Sequence, residues 1–357
     1  MENKPFSLEK LMHEIFKEEQ EKFEGSDEQF NQKFSEEISD RFGKTFENIA
    51  KDILEGLFED TIEAAKHQDE VRKKIDGRYG QILSGFDVFL ELNRFIGQDT
   101  YKKYYAHYKD NTDDLLKLDT LIFIHSRACQ MATEIRVLIE AGFADGAHAR
   151  WRSLHELTVI FLFLYDNDYE VIRMYNDYEV IESFKKANEY QKNYESLGKE
   201  PLPEAQINQL EADRQRLLSK YGNDFGRSYG WTKTVIQNSG ERHFRKIEEL
   251  VGKDYLRVIY AWANESVHAS VSANKKRLGL PKDGVTPFLP TSSEFGLDDP
   301  IQYTTYSLLT ISDVLLEMEE SVLNHMYGEY LVTFQNQIIK ELERLADEPD
   351  NSTTKAK

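Results

Sequence analysis

The stretch Ala149-Arg-Trp-Arg-Ser-Leu-His-Glu-Leu157 sets two arginines, a histidine and a glutamate into an otherwise apolar run. At about 100° per residue, a helix here places His148, Arg152, His155 and Val159 on one face. Glu156 lies beside them, and Leu154, Leu157 and Phe161 lie opposite. A buried charge is costly unless it is paired, and Arg152 and Glu156 stand at i, i+4, where they can pair. The residues therefore read either as a structural ion pair or as a polar site. A second stripe, Arg257, Tyr260, Asn264 and His268, runs at helical spacing through 242–268, with Val258 and Trp262 pointing elsewhere. Tyrosine, asparagine and histidine on one line can hold a ligand, orient a reacting group or form a hydrogen-bonded seam. If the two stripes meet, Arg152, His155 and His268 are the expected acid/base or charge-stabilising groups. His148, Glu156, Arg257, Tyr260 and Asn264 are then the expected ligand contacts.

Other features carry less chemistry. Glu265-Ser-Val-His268 has the E-x-x-H spacing of helical di-iron sites, but no second copy accompanies it, so neither a metal nor a cofactor is expected. Cys129 is the single cysteine, which excludes an internal disulfide framework or a multi-cysteine zinc site. It reads as a small core residue. Lys275-Lys-Arg277 is the best local candidate for phosphate contact. The glycines at 222, 226 and 230 follow no strand, so they do not read as a phosphate-cradling loop.

The elements that position these residues all read as helices. Residues 114–141 and 147–166 are two long helices joined by the tight turn Gly142-Phe-Ala-Asp-Gly146, and so are antiparallel neighbours. Residues 168–195 and 204–221 follow, then a loop over 222–240 carrying Tyr229-Gly-Trp231. Next come one helix over 242–268, a long irregular connection over 269–300, and one or two helices over 301–345. The fold class is all-α, a multi-helix bundle. A core domain of 75–345 is preceded by a helical extension (1–74) and followed by a frayed tail (346–357).

Charge is uneven. The chain has 357 residues and a net charge of −19, and residues 1–70 hold 9 Lys+Arg against 20 Asp+Glu. The periodic apolar positions there (Leu8, Leu11, Met12, Ile15, Phe16; Phe30, Phe34, Ile38, Phe42; Phe46, Ile49, Ile53, Leu54, Leu57) make acidic amphipathic helices. Gly25-Ser26-Asp27 and Gly43 are the expected breaks. These helices pack on their own body or meet a partner protein or a second subunit. The acidic balance disfavours bulk DNA and anionic lipid. The longest apolar run, Leu157–Tyr165, is too short to span a bilayer. With no export signal and one cysteine, a cytoplasmic protein is expected.

The turn and helix Gly142-Phe-Ala-Asp-Gly-Ala-His-Ala-Arg-Trp-Arg-Ser-Leu-His-Glu-Leu157 resembles the signature of a bacterial family of helical proteins of unknown function. That pattern is G-x-x-D-G-A-x-A-R-W-R-[ST]-L-H-E. Tyr175, Tyr178 and Ser183-Phe-Lys-Lys186, Tyr229-Gly-Trp231 and the block Tyr260–Ser270 resemble its later segments, over about residues 80–280. The resemblance implies an all-α domain and a bacterial or phage-related setting. It supplies no reaction.

Two functions compete. One is a sensor or interaction protein whose Arg/His/Tyr pocket takes an anionic ligand, such as RNA or a nucleotide, or a partner, with a role in phage defence. The alternative is a metal-independent ribonuclease like the HEPN helical domains, which use an Arg-x4–6-His motif. Arg150 and His155 have that spacing. However, Trp151 stands where the motif favours a polar residue, and the pair is 140° apart on a continuous helix. Arg152 with His268 is the better pair if the helices meet.

Overall fold

The computed structural model describes residues 16–17, 20–268, 271, 275, 277–280, 289–318 and 321–347. The chain divides into two compact units, Met1–Glu70 and Val71–Lys357. Among the described residues every regular element is helical, and no helix is long and apolar enough to cross a membrane.

In the first unit, Gln29 N donates to Ser26 Oγ (3.4 Å) and Ser26 N donates to Gln29 Oε1 (3.2 Å). This reciprocal capping box starts helix α1, Asp27–Tyr108. Phe16 and Phe23 pack their rings on the buried Phe30 at 5.2 and 5.4 Å. The expected break at Gly25-Ser26-Asp27 is thus this cap. The expected break at Gly43 does not occur, because α1 is helical through it. One interior glycine costs about 1 kcal/mol relative to alanine, too little to end a long helix. Leu8, Leu11, Met12, Ile15 and the tail from 348 lie outside the described residues. So do the side chains of Phe34, Ile38, Phe42, Phe46, Ile49, Ile53, Leu54 and Leu57.

The second unit holds the rest of α1 and eight further helices among the described residues. They are α2 (Thr112–Glu140), α3 (Ala144–Asp166), α4 (Tyr169–Asn193), α5 (Glu204–Tyr221), α6 (Phe244–Leu250), α7 (Arg257–Glu265), α8 (Asp298–Glu317) and α9 (Val322–Asp347). Local chemistry sets several of the boundaries. Asn111 caps α2 by accepting from the backbone of Asp113 and Asp114, and Asp168 caps α4 by accepting from Glu170 and Val171. Gly142, at φ +78°, reverses the chain between α2 and α3. Ala128, Ala132, Ala144 and Ala147 are fully buried, so these two antiparallel helices approach closely. α8 packs across both, and Trp151 Nε1 donates to the Tyr303 carbonyl (2.9 Å) and Ser307 Oγ (3.1 Å).

The turn before α3 also pins a distant loop. Asp145 accepts from Leu278 N (2.9 Å) and Gly279 N (3.2 Å), and Ser293 N donates to the Gly142 carbonyl (2.9 Å). A Cβ at Gly142 would stand 2.6 Å from the Ser293 carbonyl oxygen, so glycine is required by space as well as by φ.

The single helix expected over 242–268 is two. Gly252, at φ +65°, closes α6, and Lys253 N donates back to the Glu248 carbonyl (2.9 Å). One 3-10 turn, Asp254–Leu256, then leads into α7. α7 ends at Glu265, so the second polar stripe is helical only as far as Asn264.

Candidate functional site

The two polar stripes meet in the second unit. Arg152 of α3 donates through Nε to Asn264 Oδ1 of α7 and through Nη2 to Glu156 Oε1 (2.9 Å). Its guanidinium lies 4.8 Å from the Tyr260 ring centroid. Tyr260 returns its hydroxyl to the same Glu156 oxygen (2.5 Å). Arg257, one turn before Tyr260, places a second guanidinium 4.8 Å from that ring and donates to Glu248 Oε2 of α6 (2.6 Å). Two arginines on one tyrosine ring, each paired to its own carboxylate, make a charge-balanced cluster. Burial raises the Tyr260 hydroxyl above the ordinary tyrosine range, and the bond to Glu156 raises it further. Tyr260 is therefore a proton donor here.

Behind the cluster the polar groups are sealed from solvent. His155 and Glu248 are both 0% exposed and joined at 2.8 Å. The His155 ring stacks on Trp151 at 5.3 Å and meets Phe244 and Tyr260 at 6.1 and 5.8 Å. His148 stacks on the same tryptophan at 5.6 Å. Burial lowers its pKa to about 4, with Asp145 opposing weakly, so it is a neutral ring at neutral pH. His148 Nε2 and His155 Nδ1 are both buried without a hydrogen-bond partner.

Of the eight residues singled out from the sequence, six make up the joined network: Arg152, Glu156, Asn264, Tyr260, Arg257 and His155. His148 lies against it through Trp151. His268 is exposed, one turn past Asn264, and no side-chain contact joins it to the cluster. The ion pair of Arg150 is with Glu134 on α2, whereas His155 faces α6. Cys129 is buried, and burial lifts its thiol to about 12. Among the described residues no group of three or more His, Cys, Asp and Glu is arranged to hold a metal.

The same unit holds a groove of about 690 Å³, walled by Ile160 of α3, by Tyr175, Tyr178 and Glu182 of α4, and by Tyr229 and Trp231. Ile160 is one turn beyond Glu156 on the same face of α3. Tyr229 lines the groove. Its hydroxyl is raised first by burial and then by Glu156 and Glu182, while Arg152 lowers it. Tyr229 is also the one non-glycine residue with positive φ (+52°) among the described residues, a conformation that a bulky side chain adopts only under constraint. The constraint comes from its neighbours. Thr232 Oγ1 donates to the Tyr229 carbonyl (2.8 Å), and the Trp231 ring is held edge-on by Phe163 and Tyr175. Gly230 sits so close to Phe225 that a Cβ would fall 2.1 Å from its carbonyl oxygen.

Sequence reasoning missed Glu248, Glu182 and the role of Tyr229. The Tyr-Gly-Trp block is visible as a motif, but nothing separates Glu248 from the exposed Glu249 beside it except the burial that α6 imposes.

Residues 118–285 match the model of a family of unknown function (DUF5677). That span contains the Gly142–Leu157 turn and helix, the paired arginines, Glu248 and the groove. No curated protein and no solved structure matches the chain.

Proposed function

We propose that the second unit is a non-catalytic binding module that receives a small anionic ligand at Arg152, as a sensor would. The observation that carries this reading is the fixed guanidinium. Asn264, Glu156 and the Tyr260 ring hold Arg152 in one orientation while its side chain stays 24% exposed. A pre-ordered arginine loses little freedom when it binds an anion. The histidines support binding rather than chemistry. His155 is enclosed, and no hydrogen bond or ion pair joins His268 to Arg152 among the described residues, whereas a ribonuclease needs an acid/base group within reach of the reacting phosphate. A bacterial setting and a part in phage defence go with this reading as its biological context.

The test is calorimetric titration of the full chain with inorganic phosphate, ribose 5-phosphate and GMP, with total RNA incubated in parallel. Saturable binding by at least one probe is expected. It should weaken about tenfold or more in Arg152→Ala, the value of one charge-assisted bond, with an unchanged circular dichroism spectrum. Arg152→Lys, which keeps the charge but loses the fork, should fall between. If no probe binds, or all bind equally to Arg152→Ala, the reading is wrong. RNA cleavage that depends on Arg152 would establish the ribonuclease instead.

A further inference from the structure

We infer that the groove walled by α4 and the Ser228–Trp231 segment is a second ligand site, separate from Arg152, and that it takes a zwitterionic amino acid with an aromatic side chain. Arg152 does not line this groove, so the inference stands apart from the binding reading above.

The charges on its wall lie in a fixed order. Tyr175, Tyr178, Glu179, Glu182, Lys185 and Lys186 recur on α4 at helical steps, so they share one face, and all six line the groove. The two carboxylates precede the two lysines by about 4.5–10.5 Å along the axis, at 1.5 Å per residue. One stretch of the groove is therefore anionic and the next cationic. Glu182 stands four residues before Lys186, the order in which a helix favours an ion pair, yet the two do not pair. Glu179, Glu182 and Lys186 are exposed and make neither an ion pair nor a side-chain hydrogen bond among the described residues. Lys185 is placed by a buried tyrosine instead. Its ammonium donates to the Tyr178 hydroxyl (3.4 Å) and lies 5.5 Å from that ring's centroid. The hydroxyl in turn donates to the Arg227 carbonyl (2.5 Å). An ammonium carries three donors, so Lys185 keeps two for a ligand.

The rest of the wall is aromatic. Tyr175 and Tyr229 are half-buried, and the rings of Tyr175 and Trp231 meet at 5.0 Å and 79°. Aromatic rings favour edge-to-face or offset contact, and two rings set nearly at right angles offer a third ring both. The carboxylates only accept and the ammonium groups only donate. The ligand that answers every part carries an ammonium for Glu179 and Glu182, a carboxylate for Lys185 and Lys186, and a flat ring. An aromatic amino acid carries all three on one α-carbon. A phosphate ester would leave the glutamates facing like charge, and a simple amine would leave the lysines unanswered. The groove, at about 690 Å³, falls within the range of small-molecule sites.

Calorimetric titration of the full chain with L-phenylalanine, L-alanine, phenethylamine and 3-phenylpropionate removes the ring, the carboxylate and the ammonium in turn. L-phenylalanine should bind saturably, and each of the other three about tenfold or more weakly, the loss expected of one charge-assisted bond or one ring contact. Two exposed substitutions then separate the charges. Glu182→Gln should weaken L-phenylalanine and phenethylamine but leave 3-phenylpropionate unchanged. Lys186→Gln should weaken L-phenylalanine and 3-phenylpropionate but leave phenethylamine unchanged. A change of groove shape alone would weaken all three alike. In Arg152→Ala, L-phenylalanine binding should survive while phosphate binding weakens. The inference fails if L-phenylalanine does not bind at about 10 mM, if it binds no better than L-alanine, or if the two variants do not show the crossed pattern. It fails also if Arg152→Ala abolishes L-phenylalanine binding. The anion site at Arg152 is judged separately, by its own phosphate probes.

Discussion

Arg152 and Tyr260 hold each other through a third residue. The guanidinium lies 4.8 Å from the tyrosine ring, and the tyrosine hydroxyl donates to Glu156 Oε1, the oxygen that pairs with Arg152. The three side chains come from two helices separated by about a hundred residues, yet they close a ring of contacts. Fixing any two of them fixes the third.

Tyr260→Phe separates the two halves of that ring. Phenylalanine keeps the aromatic face for Arg152 and Arg257 but removes the donor to Glu156. The expected loss in urea unfolding is about 1 kcal/mol, the net worth of one hydrogen bond. Tyr260→Ala also removes the packing against Phe244 and His155 and should cost about 3–5 kcal/mol. Equal losses in the two variants would show that the ring face contributes nothing.

Glu248 anchors the buried side of the network. It is 0% exposed and accepts from both His155 and Arg257. Glu248→Ala leaves a buried imidazole and a guanidinium without their acceptor, and removing one partner of a buried pair costs about 3–5 kcal/mol. Glu248→Gln keeps an acceptor oxygen and should cost less than half of that. A thermal melt in which alanine and glutamine behave alike would refute this account of the pair.

The legible and illegible parts of the site divide along a physical line. Helical periodicity put His148, Arg152 and His155 on one face of α3, and Arg257, Tyr260 and Asn264 on one face of α7, because a stripe is a property of one helix. His268 was assigned to the second stripe because 242–268 reads as continuous. Gly252 in the left-handed region breaks it, and α7 stops at Glu265. Asp145 reads as a turn residue from its neighbours Gly142 and Gly146. Its role as acceptor for Leu278 and Gly279 depends on a loop more than a hundred residues away. Tyr229 shows the same limit, since its constraint comes from Phe225, Thr232 and the packing of Trp231.

Gly230 is the position that keeps Tyr229 strained. Any side chain there meets the Phe225 carbonyl oxygen at 2.1 Å, and the neighbour is backbone, which cannot swing away. Gly230→Ala should therefore destabilise the second unit by about 1–3 kcal/mol, as overpacking in a rigid site does. It should also raise hydrogen exchange over 225–232 before the rest of the unit. Unchanged exchange in that segment would mean that the turn tolerates the methyl group and that its geometry does not depend on glycine.

Acid should weaken the fold through its buried histidines. Burial lowers both His125 and His148 to about 4 from an ordinary value of 6.5. His125 Nε2 lies 3.1 Å from Ser312 Oγ, and His148 stacks on Trp151. The folded state keeps both rings neutral where the unfolded chain protonates them. Between pH 6.5 and 4 the unfolded state thus binds more protons, so stability is full above this window and falls as pH drops through it. Urea unfolding measured from pH 7.5 to 4 should show a slope that includes up to two protons taken up on unfolding from these groups. His148→Phe keeps a ring against Trp151 and removes one titrating site. Its slope in that window should be shallower by about one proton per molecule. A slope identical to the wild type would show that His148 titrates alike in the folded and unfolded states, and that its burial carries no penalty for charge.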